Sequence, residues 1–382
     1  MKTLHVNTER TWRGGEQQTL LLAAGLAARG HGAEVVCQPG SPLADRARSR
    51  GLPVREVRMR GEFDLLAVRR LAAILKDGSH DVVHMHTSHA HTLGVLASVL
   101  ARRARRVVSR RVDFSIHRTR LRLNAFKYRH GVDRFVAISK AVKSALVADG
   151  VDASRIDVVP SGIDVGDLSR RRDAARSAGA AAALRSSLRL GDRAPVIGHV
   201  GHLTWHKGQT YLVEAMPRVL EKEPRALLLI AGEGEERAKI EARVAALGLH
   251  GAVRLAGFVA DPVPCYGLFD LFVMPSVMEG LCTSILDAMT LEVPVVAAAA
   301  GGIPEIVRDG ENGLLVPPRD PGALAEAILR ALGDAPLRER FRERGLATVR
   351  QRFSADAMVD GTLAVYESVL AAAKRPAPAA AR

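Results

Sequence analysis

Two runs of alternating strands and helices, separated by a charged, Ala-rich stretch, predict an α/β protein. Each run reads as a Rossmann-like, doubly wound half with a parallel sheet. The 382 residues are too many for one ordinary domain. Hydrophobic content of 47% suffices for two cores, and 4% aromatics makes those cores aliphatic. Within each run, short apolar segments end at Gly turns, and 3.6-residue periodicity follows.

In the first half, Leu4–Asn7 is a strand, Arg13–Glu16 a glycine turn and Gln17–Arg29 a helix. Glu34–Gln38 is a strand, Leu43–Arg50 a helix, Val54–Val57 a strand and Asp64–Lys76 a helix. The strand Asp81–His86 precedes the helix Thr92–Ala101. Then come the strand Arg106–Ser109, a helix over Leu121–Tyr128, the strand Phe135–Ile138, the helix Lys140–Ala148 and the strand Ile156–Val159. The alternation places an N-terminal domain at 1–164. Residues 165–194 are first charged, then Ala-rich, and read as a linker holding a helix.

A second alternation starts at Pro195 and gives a second domain over 195–352. Its strands are Val196–Val200, Ala226–Ala231, Val253–Ala256, Leu271–Met274 and Val293–Ala297. Helices are expected at Gln209–Leu220, Arg237–Leu247, Leu324–Leu332 and Leu337–Val349. A terminal helix over 353–373 is expected to pack back toward the N-terminal domain, followed by an Ala/Pro tail at 374–382. Ligands of such sheets bind at the carboxyl ends of the strands. Two facing halves suggest a cleft with a donor on one side and an acceptor on the other.

The three cysteines, Cys37, Cys265 and Cys282, are odd in number and far apart, which argues for a reducing compartment. The N-terminus lacks the apolar core of a signal peptide, and no run of 18 apolar residues occurs. The expected location is therefore cytoplasmic. The net charge of +14 is unevenly spread. Residues 1–165 hold 28 Lys+Arg against 15 Asp+Glu, whereas 166–382 are nearly balanced. Between Arg102 and Lys143 there are 14 basic residues and two acidic ones, Asp113 and Asp133, with Phe114, Phe126 and Tyr128 among them. Such a surface suits nucleic acid, an anionic membrane or a phosphorylated acceptor, or is simply solvated.

The densest chemistry lies at Glu279-Gly280-Leu281-Cys282-Thr283, after the strand Leu271–Met274. Thr283 and Ser284 are good N-cap residues, and Asp287 is expected in the first helical turn. A helix N-terminus attracts phosphate through free amides and its dipole. Two carboxylates eight positions apart would repel phosphate but accept hydrogen bonds from hydroxyls. A ligand with both groups, such as a sugar nucleotide, satisfies the pattern. Other strand ends carry matching turns: Gly14-Gly15, Gly201-His202 with Lys207-Gly208, Gly232-Glu233-Gly234, and Gly301-Gly302 with Glu305. Neither the dinucleotide G-x-G-x-x-G nor a Walker A loop is present. His84, His86, His89 and His91 cluster at one strand end. Asp81 falls on the opposite strand face to His84, so a metal site is not expected, and His86 is the histidine best placed to line the cleft.

These residues resemble glycosyltransferase family 4, the group 1 glycosyl transferases. The resemblance rests on Glu279-x7-Asp287, Pro294-Val295-Val296, Gly301-Gly302-Ile303-Pro304-Glu305 and Asn312-Gly313-Leu314-Leu315-Val316. In the first half it rests on Gly14-Gly15, the strand ending at His86, Val136-Ala137-Ile138-Ser139 and Val159-Pro160-Ser161-Gly162-Ile163-Asp164. It covers about residues 1–370.

The resemblance implies a GT-B fold and retaining, metal-independent transfer from a nucleotide-sugar cosubstrate, with no cofactor. Glu279 and Lys207 are the implied catalytic residues, and His86 and Asp113, read from the residues themselves, complete the expected catalytic set. Glu279 would bind the donor sugar, and Lys207 would neutralise the leaving diphosphate, a role worth roughly 3–4 kcal/mol. Asp287 would hold the ribose. Gly14, Gly15, His202, Gly232, Gly280, Leu281, Cys282, Thr283 and Glu305 complete the implied donor pocket. Arg110 or Arg111 would serve phosphates or the acceptor, and Asp113 an acceptor hydroxyl. Three positions depart from the family: His202 stands for Arg, Asp287 for Glu, and Ser109-Arg110-Arg111-Val112-Asp113 lacks the histidine many members carry there. The expected acceptor is a glycan, lipid-linked or lipopolysaccharide-type molecule at the inner face of an anionic membrane, with no nucleic acid bound. A sugar-nucleotide epimerase or phosphorylase of the same fold, or a nucleic-acid-binding protein using the 102–143 surface, are the alternatives.

Overall fold

The computed structural model describes residues 1–102, 104–113, 128 and 131–374. The helix expected at Leu121–Tyr128 lies, apart from Tyr128, outside the described residues, as do Phe114 and Phe126 of the basic segment. The chain divides into two units. One is Met1–Gly162 with Ala355–Arg382, and the other is Ile163–Ser354.

The first unit holds seven strands: β1 (Lys2–Val6), β2 (Gly32–Cys37), β3 (Val54–Glu56), β4 (Val82–Met85), β5 (Arg105–Arg110), β6 (Arg134–Ala137) and β7 (Ile156–Val158). They pair in parallel in the order β3-β2-β1-β4-β5-β6-β7. The order reverses direction between β1 and β4, which is the switch point where doubly wound sheets open to ligands. Helices α1 (Gly14–Ala28), α2 (Pro42–Ser49), α3 (Leu65–Gly78) and α4 (Ser88–Ala101) connect successive strands. Their starts are fixed locally. Ser41, Asp64 and Thr87 accept from first-turn amides of α2, α3 and α4.

The helix Ala355–Lys374 belongs to this unit and packs on α1. The two backbones approach closely because α1 carries Gly25, where a Cβ would meet Val359 Cγ2 at 2.5 Å. Tyr366 from that helix is fully buried among Val107, Val136, Leu20 and their neighbours. Its hydroxyl lies 2.5 Å from His84 Nδ1.

The second unit holds β8 (Val196–Val200), β9 (Leu227–Ala231), β10 (Val253–Gly257), β11 (Leu271–Met274), β12 (Val295–Ala298) and β13 (Leu314–Val316). The parallel order is β10-β9-β8-β11-β12-β13, with its switch point between β8 and β11. The near-continuous aliphatic runs of β9 and β11 reflect helices on both faces. β13 adds a sixth strand in a stretch read from the sequence only as a motif. Residues 165–194 carry two helices, Val165–Ser177 and Ala180–Ser187. Both pack on the short helix Val263–Tyr266 and count with this unit. Arg171 pairs with Asp261 and Arg172 with Glu292, which ties the charged stretch down.

Removing the buried Tyr366 ring leaves a cavity in a close-packed aliphatic core. Tyr366→Ala is expected to destabilise the first unit by about 3–5 kcal/mol, read as a lowered unfolding midpoint in urea. An unchanged midpoint would mean that the terminal helix does not stabilise this unit.

Candidate active site

In the second unit, four loops gather at the carboxyl ends of the strands. The β8 loop makes a single 3-10 turn, Trp205–Lys207, and then Gly208 turns left-handed at φ +70°. A Cβ at Gly208 would stand 2.2 Å from the Pro275 carbonyl oxygen, so only glycine lets the β8 and β11 loops come this close. Val277 N donates to the His206 carbonyl at 2.8 Å and joins the same two loops. On the other side, Gly232 has φ +152°, and its Cβ would meet Gly201 O at 1.9 Å. Gly302 N, from the β12 loop, donates to Glu279 O at 2.9 Å.

This convergence brings Lys207 Nζ to 2.5 Å from Glu279 Oε2. Ser276 Oγ donates to the same oxygen at 3.3 Å. Both charged side chains are largely buried, at 16% and 13% exposure. Burial works against the ammonium, but the neighbouring Glu279 outweighs it and holds the Lys207 pKa above its ordinary value. Lys207 is thus a fixed positive charge. Glu279 keeps one carboxylate oxygen, Oε1, outside the pair.

The following helix runs from Thr283 to Thr290, with Cys282 as its N-cap. Thr283 is therefore already helical, and Asp287 lies in the second turn rather than the first. The shift arises because Cys282, extended at φ −87° and ψ 97°, already receives the Ile285 amide on its carbonyl. Gly280, Leu281 and Cys282 are buried, and Thr283 is partly so. Burial pushes the Cys282 thiol up to about 12 despite the opposing Lys207 cation, so this cysteine is an inert thiol. Burial likewise pushes Asp287 up to about 7, against the pull of Arg171.

His202 is half-exposed, with Nε2 3.8 Å from Glu235 Oε2. Glu305, partly buried, lies in the short helix Ile303–Ile306. Sequence reasoning overlooked Gln209. Its amide reaches both the buried His199 ring and the His202 carbonyl and so sets the β8 loop.

The first unit holds the other expected residues. Gly14 and Gly15 open α1. Arg111, just past β5, lies against them, with Cδ 3.9 Å from where a Cβ on Gly15 would stand. Arg110 Nη1 donates to the Tyr128 hydroxyl at 3.2 Å. Asp113 is partly buried beyond the strand. His86 is buried, with Nε2 3.1 Å from His5 Nδ1 and Nδ1 3.4 Å from Arg111 Nη2. Both of its nitrogens have protein partners, His5 and Arg111.

His5, which the sequence reading did not single out, joins His84 and His86 because β1 lies beside β4 and His5 is in register with His84. The three rings offer nitrogens within 4.8 Å of one another. Those of His5 and His86 already bond each other, and the Arg111 cation stands beside them, which disfavours a metal ion. His89 is exposed, and His91 packs edge-on to Tyr128. Glu16, also not singled out, is buried at the start of α1 and accepts from Asn7 Nδ2 and Arg13 N. A depression of about 580 Å³ lined by His80, Arg102, Arg105, Arg106 and Asp133 lies at the amino ends of β4 to β6. That is the wrong end of a doubly wound sheet for a substrate, and Asp133 already pairs two of its arginines.

Asp287 provides a pH test. Its pKa in the folded state is raised above the reference value of 3.8, so folding takes up a proton between about 4 and about 7. This group's contribution to stability therefore falls as pH rises through that window. Asp287→Asn is expected to unfold at a higher temperature than the wild type at pH 8, with the difference shrinking toward pH 4. A difference independent of pH would show that the carboxyl is not held up by burial.

Residues 181–348 match the family of glycosyl transferases group 1, and residues 12–167 match glycosyltransferase family 4. The chain is 30% identical over 278 residues to a GDP-mannose-dependent alpha-(1-6)-phosphatidylinositol monomannoside mannosyltransferase of Mycolicibacterium smegmatis. That match covers 67% of this chain and 69% of the relative. It is 37% identical over 175 residues to the lipopolysaccharide core biosynthesis glycosyltransferase LpsE of Rhizobium meliloti, which is 46% of this chain and half of that protein. The crystal structure of Anabaena Alr3699/HepE in complex with UDP superposes with a TM-score of 0.81 at 24% identity, covering 96% of this chain and all of that one. The switch-point loops of the second unit thus belong to a known architecture: the chain is a member of glycosyltransferase family 4 with the GT-B fold.

Proposed function

We propose that the protein is a retaining, metal-independent transferase. It moves a sugar from a nucleotide-sugar donor to a glycan or lipid-linked acceptor of lipopolysaccharide type, in the cytoplasm at the inner face of the membrane. The observation that carries this reading is the Lys207–Glu279 pair, held where the β8 and β11 loops meet. Departure of a nucleoside diphosphate develops negative charge at the leaving oxygen. A lysine kept protonated supplies positive charge there without a metal ion. Glu279, with one oxygen on Lys207 and one outside the pair, would accept a sugar hydroxyl and orient the ring.

Asp287 suits a ribose diol. Its carboxyl is under-solvated, and two hydroxyl donors would replace the missing water. Cys282 and Thr283 bring helix-start amides toward the phosphates. In the second unit the loops of His202, Gly232, Gly280, Leu281 and Glu305 would complete the donor pocket, and in the first unit Gly14 and Gly15 would offer helix-start amides to a phosphate. Asp113 would take an acceptor hydroxyl, and Arg110 or Arg111 a phosphate. The retaining outcome rests on the family resemblance. The named substrates of the two relatives, one a phosphatidylinositol mannoside and one a lipopolysaccharide core, favour an amphiphilic acceptor.

Contact with an anionic membrane is supported by the outer face of α3 and α4, which pack side by side. Leu66, Leu96, Val99 and Leu100 are 56%, 39%, 59% and 51% exposed along the outward stripes of these helices. Arg69, Arg70 and Arg102 are exposed beside them. Apolar side chains flanked by arginines fit a headgroup layer, where each basic residue adds about 1 kcal/mol. Among the described residues, no helix is long and apolar enough to cross a membrane.

A panel of UDP-, GDP- and ADP-sugars, followed by mass analysis of products, tests the donor reading. Glu279→Gln is expected to lower transfer at least 100-fold with the fold retained. Unchanged transfer would remove Glu279 from the site, and epimerised donor would name a different reaction. Replacing Leu96 and Leu100 together by Glu is expected to cut sedimentation with phosphatidylglycerol vesicles at least fivefold. Equal sedimentation would overturn the membrane face.

A further inference from the structure

The hydrogen bonds on one face of the first sheet have a single permitted direction. Thr3 Oγ1 lies 3.0 Å from the Gly32 carbonyl oxygen, which only accepts, so the hydroxyl proton goes there. His5 Nε2, 3.0 Å from the same Oγ1, must then donate to it. Burial holds His5 neutral, down to about 3, so its Nδ1 is bare and accepts. The atom it faces, His86 Nε2, therefore carries the proton. His86 is held well below the ordinary imidazole range, chiefly by burial and then by the neighbouring His84, His5 and Arg111. Its Nδ1 is thus an acceptor, and the group before it, Arg111 Nη2, can only donate. The chain begins on an obligate acceptor and ends on an obligate donor, and every link between them agrees.

We propose that His5 and His86 are positioning residues, and that this directed chain presents the Arg111 guanidinium at the Gly14–Gly15 turn as a receptor for a phosphate-type anion. The proposal rests on reading the protein as a transferase of phosphate-activated sugars. Arg111 is under-compensated where it stands. Its Nε is buried without a partner among the described residues. Burial lowers the guanidinium to about 10, with Glu16 opposing. The Glu16 oxygens, though, are taken by Asn7 Nδ2 and the Arg13 amide. The turn it crosses opens the 15-residue helix α1, whose first amides and dipole also favour an anion. Gly15 leaves room beside the Arg111 stem. A positively charged His86 would point a donor at a donor and push Arg111 out of place.

Asparagine and glutamine separate positioning from mere packing. In His86→Asn the amide oxygen takes the place of Nδ1 and still accepts from Arg111. In His86→Gln the amide reaches the place of Nε2, bonds His5 and leaves Arg111 without an acceptor. Calorimetric titration with UDP, GDP and ADP probes a donor diphosphate. Inorganic phosphate added to the nucleotide-saturated protein probes an acceptor phosphate. For whichever anion Arg111 serves, Arg111→Gln is expected to weaken binding at least tenfold and His86→Gln about tenfold, with His86→Asn within about threefold of the wild type. Equal loss in the Asn and Gln variants, or Arg111→Gln binding both probes as the wild type does, would overturn the proposal. A folded wild type that binds no nucleoside diphosphate would overturn the underlying donor reading instead.

Discussion

The second unit depends on one close approach, that of the β8 loop to the β11 loop. Gly208 makes it sterically possible, and the Pro275 carbonyl would collide with any side chain there. Everything chemical follows from that contact. It brings Lys207 to Glu279, buries both, and leaves each as the other's main compensation. A largely buried ion pair adds little net stability, because desolvation offsets attraction, but breaking it leaves a stranded charge. Such a pair is better understood as stored electrostatics: a cation kept charged and a carboxylate kept oriented before any ligand arrives.

The same logic governs the first unit with neutral groups. Burying three imidazoles costs free energy unless their nitrogens find partners. Thr3, Ser109, Tyr366 and Arg111 supply those partners around His5, His84 and His86. The terminal helix therefore contributes more than apolar cover, since its Tyr366 hydroxyl satisfies His84. A polar network on a sheet face is stable only when every member is paired, which makes the arrangement rigid. Arg111 is where that pairing runs out, beside the glycine turn.

Much of this was legible in the residues. The alternation of aliphatic runs with capped, amphipathic segments carried both parallel sheets, because side-chain period and turn chemistry are local properties. The glycine turns after the strands, and Glu279 eight positions before Asp287, were visible for the same reason. The start of the helix at Thr283–Thr290 was read one residue late, because two good capping side chains outweighed an extended Cys282 that only loop geometry reveals. Gln209 and Glu16 escaped notice because a buried polar residue looks like a surface one until its neighbours are known.

The sequence by itself determined the fold class, the strand ends that gather chemistry, and the family to which these motifs belong. All of these follow from periodicity and from residue types at short spacing. Only the tertiary structure decided which distant residues meet. Lys207 and Glu279 are 72 positions apart, and His5 and His86 are 81. Sheet order, not spacing, places β1 against β4 and so buries His86 beside His5. Burial and proximity are properties of the packed chain, so the protonation of Asp287 and Lys207 could be read only there.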